Sequence, residues 1–390
     1  MLMVSGYDVL LIALAMGAAH LYTVHRFNSV LGLEAKSEWP KFSPTVSAFV
    51  PCKGLPHGLR ENIEAFLTQN YEGILKLYFI VPSASDPAYP VISKILKGQD
   101  RAELIATGIK PTQSSGKIAD LLSVIDQERP NGEIYLFADS DIKVGKDWVR
   151  RMVEPLQDLG IGLTTTALAY SPAAFSVWGF MRMVWNAFAT SFAPVMDCVV
   201  GQSICLRRFD FENWEVAKLW STCVMEDMAL SGLMRTSDKR VYFVGRAMPV
   251  SEAACGFSDF FSVINKWVLC FRLFDPIVWC LGIVFVSLKW LVLFWSLSHG
   301  AWDVFTLFWV FEAVNIFATL EVYRRFGANR YDTIHPGLRL FPFLGALVSP
   351  VLLGALTGNF LYSIFNREIH WGDYIYRVKS RGIIEVRPRR

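Results

Sequence analysis

The sequence is short of charge. Only 19% of its 390 residues are Asp, Glu, Lys or Arg, and 53% are hydrophobic, whereas ordinary soluble chains carry about 25% and roughly 45–50%. A net charge of +3 is too small to argue for a nucleic-acid partner, which calls for a basic stripe or patch. The seven cysteines (Cys52, Cys198, Cys205, Cys223, Cys255, Cys270 and Cys280) contain no CxxC pair. That argues against a disulfide framework or zinc site, and for reduced thiols in a cytosolic compartment, most of them small core residues.

The missing charge is not missing everywhere. Apolar residues concentrate near the N-terminus and after about Asp275, while residues 40–255 read as an ordinary soluble α/β sequence. The simplest organisation is a soluble domain set between membrane segments. The expected divisions are an anchor at 1–30, a catalytic domain at 40–255 and an amphipathic interfacial stretch at 256–275. A transmembrane region at 276–366 and a basic cytoplasmic tail at 367–390 follow. Residues 9–24 are apolar apart from His20 and Tyr22. They lack a basic n-region and a small-residue cleavage site, which favours a retained anchor over a signal peptide.

Later apolar runs cover 277–297, interrupted by Lys289, and 302–320, with Glu312 and Asn315. Such charges either face a protein interior or snorkel to an interface. The last run, 338–365, is broken by Pro342 and Pro350 and reads as one kinked span or a re-entrant pair of half helices. Basic clusters lie at Arg26, Lys36 and Lys41, at Arg324, Arg325 and Arg330, and at Arg377, Lys379, Arg381, Arg387, Arg389 and Arg390. All three favour the cytoplasm, and the last suits an anionic lipid surface. A re-entrant last run satisfies all three.

Within 44–141 short buried strands alternate with helices: strands at 46–50, 75–81, 103–106 and 134–138, helices at 59–69, 91–97 and 118–126. That alternation predicts a mostly parallel sheet covered on both faces, with ligands bound beyond the carboxyl ends of the strands. Lys53-Gly54, Asp86 and Asp139-Ser140-Asp141 fall at those ends.

Asp139 and Asp141 end the most apolar strand, and a turn beginning at Ser140 lets both reach one cation or ligand. Mg²⁺ or Mn²⁺ takes one or two carboxylates plus water and substrate phosphates, and neutralises a diphosphate leaving group. The alternative is a carboxylate cap on a turn or helix. Glu226-Asp227 precede a helix at 228–234 and offer a general base or an N-terminal cap. Gly201, in Val200-Gly201-Gln202-Ser203, marks a close backbone approach or a plain turn. Lys117 follows Ser114-Ser115-Gly116 at a helix start, where a phosphate would meet amides and an ammonium, though the full P-loop pattern is lacking.

In order, these segments resemble the glycosyltransferases of family 2 and, most closely, the ceramide glucosyltransferase family (family 21). The resemblance covers about residues 45–275. It rests on Pro51-Cys52-Lys53-Gly54, Gln69-Asn70-Tyr71, Ser85-Asp86-Pro87-Ala88, Gly116-Lys117-Ile118, Asp139-Ser140-Asp141, Val200-Gly201-Gln202-Ser203 and Glu226-Asp227. Trp371-Gly372-Asp373-Tyr374 also resembles a short motif near such proteins' C-termini.

The resemblance implies a GT-A fold and inverting transfer from a UDP-sugar to a membrane lipid, at the cytoplasmic face of a multi-pass protein. It implies that Asp86 meets the base or ribose, Asp139 the nucleotide and Asp141 the metal, with Asp227 as base. Two features depart from the family. Its Gln-x-x-Arg-Trp motif stands here as Val263-Ile264-Asn265-Lys266-Trp267, in which Lys266 meets a diphosphate as a point charge and Trp267 lines the acceptor site or packs a helix. The ceramide enzymes' histidine before the Val-Gly-like segment has no counterpart between His57 and His299.

The aromatic- and Met-rich stretch 172–194 (with Phe175, Trp178, Phe180, Met181, Met183, Trp185, Phe188 and Phe192) and Phe257–Phe274 extend their apolar residues beyond one helical face, suggesting contact with lipid. The rival functions are a processive polysaccharide synthase and a non-catalytic membrane scaffold on a decayed transferase fold.

Overall fold

The computed structural model describes residues 5–36, 39–171, 176–334, 341–380 and 383–389. The start of the aromatic stretch with Phe175, residues 338–340, and Arg381 and Arg390 lie outside the described residues. The chain forms two compact units. A sheet unit takes 30–174, 196–254 and 368–390, and a helical unit takes 1–29, 175–195 and 255–367. The expected 40–255 domain therefore loses residues 175–195 to the helical unit. Elements are numbered along the whole chain.

In the sheet unit, β1 (Val46–Pro51), β2 (Leu75–Val81), β3 (Ala102–Ala106) and β4 (Ile134–Ala138) run parallel. With β5 (Ile161–Thr165), β7 (Ser203–Arg207) and β8 (Arg240–Phe243) they make a seven-stranded sheet in the order β3-β2-β1-β4-β7-β5-β8. The antiparallel strand β7 lies between β4 and β5. Short strands β6 (Ala169–Tyr170) and β9 (Val250–Ser251) pair beside it.

Almost every residue of β1, β2 and β4 is buried, as a parallel sheet covered on both faces requires. Phe49 stacks between Tyr78 and Phe137, at 5.4 and 5.1 Å, tying the three strands together through one face. Strand order reverses between β1 and β4, the switch point where a crevice opens beyond the carboxyl ends.

Seven helices of the described chain belong to this unit: α2 (Leu59–Leu67), α3 (Ala88–Ile95), α4 (Gly116–Glu128), α5 (Trp148–Val153), α7 (Arg208–Asn213), α8 (Val216–Trp220) and α9 (Glu226–Met234). The amphipathic α4 presents Ile118, Leu121 and Val124 to the core.

Within 367–390, expected as a basic cytoplasmic tail, the described residues 368–380 and 383–388 fold into a small sheet. Strands β10 (Glu368–Trp371), β11 (Tyr374–Ser380) and β12 (Ile383–Pro388) form an antiparallel sheet belonging to the sheet unit. Ile369, Tyr376 and Ile384 are buried in it. Two of its cations are paired, Arg387 with Glu368 at 2.7 Å and Lys379 with Glu385 at 2.6 Å. The alternating polar residues that read as a tail are its outward face.

The helical unit holds α1 (Gly6–Lys36) as far as Ser29, then α6 (Val177–Phe192), α10 (Phe257–Phe274), α11 (Pro276–Ser298), α12 (Trp302–Ile334), α13 (Phe341–Leu347) and α14 (Ser349–Phe365). Among the described residues, three helical stretches are long and apolar enough to cross a membrane: Gly6–Gly32, Pro276–Ser298 and Trp302–Arg325. Lys289 of α11 pairs with Glu312 of α12 at 2.5 Å, and both are buried. Of the two expectations for these charges, the protein interior holds. Helix α6 is buried around most of its circumference, so its excess of apolar residues reflects packing inside the unit. Trp290 donates to Thr357 Oγ1 (2.8 Å) and Trp279 to Ser363 Oγ (2.9 Å), so α14 runs back along α11 and ends level with its start.

Candidate active site

Beyond the sheet's carboxyl edge, one side of the crevice begins at the turn after β1. Gly54, at φ +64, turns its N–H onto Asp86 Oδ1 at 2.9 Å. The same oxygen accepts from Ala88 N–H at 2.8 Å. Asp86 is thus buried and fixed in the loop after β2 with both bonds on one oxygen. Neighbouring Lys53 pairs with Asp373 at 2.5 Å. Asp120, on the inner side of α4, accepts from Thr107 Oγ1 at 2.5 Å. Burial pushes its carboxyl up to about 6, against the pull of the Thr107 hydrogen bond and the Lys53 charge.

On the other side of the crevice, β4 runs out at Ala138, and Asp139 N–H donates to Gln202 O at 3.4 Å. The turn expected at Ser140 is present: Ser140 and Asp141 form it, and Asn62 of α2 holds the Ser140 carbonyl at 3.0 Å. Lys117 reaches in from the first turn of α4. Its ammonium bonds Asp139 Oδ1 at 2.5 Å and Glu226 Oε1 at the start of α9. Burial opposes this charge, but two carboxylates outweigh it, so Lys117 keeps its proton well above the ordinary lysine range. Glu226 Oε2 is buried without a hydrogen-bond partner.

Asp227, the next residue, is held by two backbone amides, Gly201 N–H on Oδ2 (3.1 Å) and Met228 N–H on Oδ1 (2.8 Å). A Cβ at Gly201 would stand 2.8 Å from Oδ2, so the residue must be glycine for the carboxylate to come this close. Burial first, and then the charge of Glu226, raise the Asp227 carboxyl to about 7. That places it where a general base works near neutral pH.

Gathered around one crevice are therefore Lys53 and Asp86 on one side, and Lys117, Asp139, Gly201, Glu226 and Asp227 on the other. Asp141 is half-buried in its turn. The phosphate site expected at the start of α4 meets a different arrangement: Ser115 Oγ accepts from Ile118 N–H (3.3 Å) and Tyr376 OH from Gly116 N–H (3.1 Å). These first-turn amides are engaged by the protein. Gly201, expected beside a ligand, has Asp227 as its close neighbour. Lys266 and Trp267 lie on α10 of the helical unit, where Trp267 sits 5.3 Å from the Trp185 ring. Asp120 was missed, although a carboxylate among Ile118, Leu121 and Val124 on an apolar helix face signals it. Tyr376 and Asp373 were not linked to the crevice, because their contacts with Gly116 and Lys53 span more than 250 residues.

Among the described residues no three His, Cys, Asp or Glu groups converge on a point that could hold a metal. The Asp139/Asp141 turn nevertheless offers hard oxygen donors at a solvent-reached edge. That suits Mg²⁺ or Mn²⁺, which takes one or two carboxylates and completes its shell with water and phosphate.

A mostly parallel sheet with a switch-point crevice lined by these carboxylates defines a GT-A glycosyltransferase. The chain belongs to glycosyl transferase family 21, whose model matches residues 7–384. A search of curated protein sequences found no match. Among solved structures, the chain is similar to the mannosyltransferase PcManGT from Pyrobaculum calidifontis, in complex with GDP-Man and Mn²⁺, at 14% identity and a TM-score of 0.49 over 90% of this chain and 99% of that one. It is also similar to S. aureus TarS 1–349, at 11% identity and a TM-score of 0.38 over 87% and 98%.

Proposed function

We propose that this glycosyltransferase transfers a sugar from a UDP-sugar to a hydroxyl of a membrane lipid, with inversion at the anomeric carbon. The observation that carries the reading is the Asp227 carboxyl. It is held by two amides with its proton affinity raised to about 7, beside the Lys117-bridged pair of Asp139 and Glu226.

Asp86 contacts the nucleoside, and Asp139 and Asp141 hold a divalent metal at the diphosphate. That metal, when bound, neutralises charge developing on the leaving group. Lys117 keeps the Asp139 and Glu226 carboxylates in place without a second cation. The lipid oxygen attacks the anomeric carbon, Asp227 takes its proton, and the bond from sugar to diphosphate breaks on the opposite face. A single displacement requires base and leaving group on opposite sides, and the two carboxylates come from separate elements, Asp141 from the turn after β4 and Asp227 from the first turn of α9. The apolar helices long enough to cross a membrane support a membrane-resident acceptor.

The test is lipid mass spectrometry of cells carrying the protein or its Asp227→Asn variant. A lipid heavier by one sugar residue, present with the wild type and absent with the variant, is expected. A polymer instead of a single-sugar lipid, or equal product from the variant, would refute the reading.

A further inference from the structure

The chain leaves the sheet unit at residue 254 and returns at 368 to add three strands. Those strands meet the sheet unit at the nucleoside side of the crevice. Asp373 pairs with Lys53, just past β1. Gly372, at φ +59, lets the turn between β10 and β11 press so close that a Cβ there would sit 3.0 Å from the Lys53 ammonium. Tyr376 OH accepts from Gly116 at the head of α4. The half-buried Tyr374 ring stands 3.7 Å from where a Gly116 Cβ would be. Lys53, Gly54, Asp86 and Gly116 bound the same corner, since Gly54 bonds Asp86 and follows Lys53.

From this we infer that the β10–β11 turn is the outer wall of the nucleoside subsite. Tyr374 is the surface on which the base rests, and the Lys53–Asp373 pair fastens the wall. The inference rests on the nucleotide-sugar reading above. The chemistry fits a nucleobase: a ring face stacks on any base, and a carboxylate such as Asp86, with one oxygen outside its backbone bonds, accepts from a base or ribose donor. The division of labour follows from burial. Tyr376 and Ile369 are buried and hold the small sheet, whereas the side chains of Lys53 and Asp373 are 44% and 74% exposed. An exposed ion pair contributes little to folding, so its placement over the crevice serves position more than stability.

The experiment is calorimetric titration of UDP and, in parallel, GDP into the full-length protein in detergent, comparing the wild type with Tyr374→Leu, Tyr374→Phe and Asp373→Asn. Tyr374→Leu is expected to weaken UDP binding about tenfold, within the range for a lost base–aromatic stack. Tyr374→Phe, which keeps the ring, should stay within about twofold, and Asp373→Asn should weaken binding about threefold. UDP binding by folded Tyr374→Leu equal to wild type overturns the inference while leaving the donor reading intact. Should Tyr374→Leu fail to fold, unchanged UDP binding by Asp373→Asn, at an exposed site, overturns it equally. Wild-type protein that binds neither nucleotide overturns the donor reading itself, and the inference with it.

Discussion

At the scale of single residues, the site depends on charges that could not stand alone. Lys117 lies between Asp139 and Glu226, and Glu226 in turn raises the affinity of Asp227 for a proton. Removing one member of a buried ionic group typically costs about 3–5 kcal/mol, because the partners keep their desolvated charge. Lys117→Met should therefore lower the unfolding midpoint sharply, which thermal melts in detergent will read. Asp227→Asn should behave in the opposite way. Transfer should fall by at least about 100-fold, within the range for lost general-base catalysis.

The stability effect of Asp227 carries a defined sign. Its carboxyl holds a proton up to about 7 in the folded state, against an ordinary aspartate value of 3.8. Between those values the native state binds more protons than the unfolded one, so this group's contribution weakens stability as pH rises through that window. Asp227→Asn removes the decline, and its midpoint at pH 8 should equal or exceed wild type. Wild-type activity should rise with pH through about 7, and a kcat/KM profile flat from pH 5 to 8 would contradict the assignment.

At the scale of elements, the loop 199–202 and α9 act as a pair. Val199 N–H donates to Ser231 Oγ at 2.8 Å and Ser231 Oγ to the Asp227 carbonyl at 2.7 Å, so α9 carries both the carboxylate and the loop that grips it. Gly201→Ala should displace Asp227 and reduce turnover by about tenfold or more, with the fold kept, as circular dichroism alongside the transfer assay will show.

Much of this scale was legible in the sequence. Strands Leu75–Val81 and Ile134–Ala138 match their expected limits, and β1, β3, α2 and α4 differ by one or two residues, because uninterrupted apolar runs and turn residues mark them. Asp139, Glu226 and Asp227 were legible as acidic residues at the ends of apolar runs. What closes on them was not, since Lys117 joins Glu226 across 109 residues and no local pattern encodes that pairing. The sheet β10–β12 was hidden for a related reason: its cations alternate with apolar residues, and counting charge saw a tail where period two marked strands.

At the scale of the whole molecule, topology follows from where the chain returns. Strands β10–β12 belong to the unit that contains β1–β4, so residues between 254 and 368 must cross any bilayer an even number of times. Helices α11 and α12 are each long and apolar enough for one crossing, at 23 and 24 residues, about 35 Å each at 1.5 Å per residue. Helix α14 has 17, about 26 Å by the same rise, and runs back along α11. It therefore returns to the side from which α13 departs. Cysteines placed at Asp373 and His57 should react with an impermeant thiol reagent from one side, and a cysteine at Gly300 from the other. Opposite-side labelling of the first two would exclude this path.

The discontinuous sheet unit also bears on how the protein comes into being. During synthesis, β1 through β9 emerge first, and the strands that cover the Lys53 corner follow only after helices α10–α14 have been translated. A chain stalled or clipped within that region would carry its acidic crevice without Asp373, Tyr374 or Tyr376. The corner around Lys53 is therefore completed only after the helices between residues 254 and 368 have been translated.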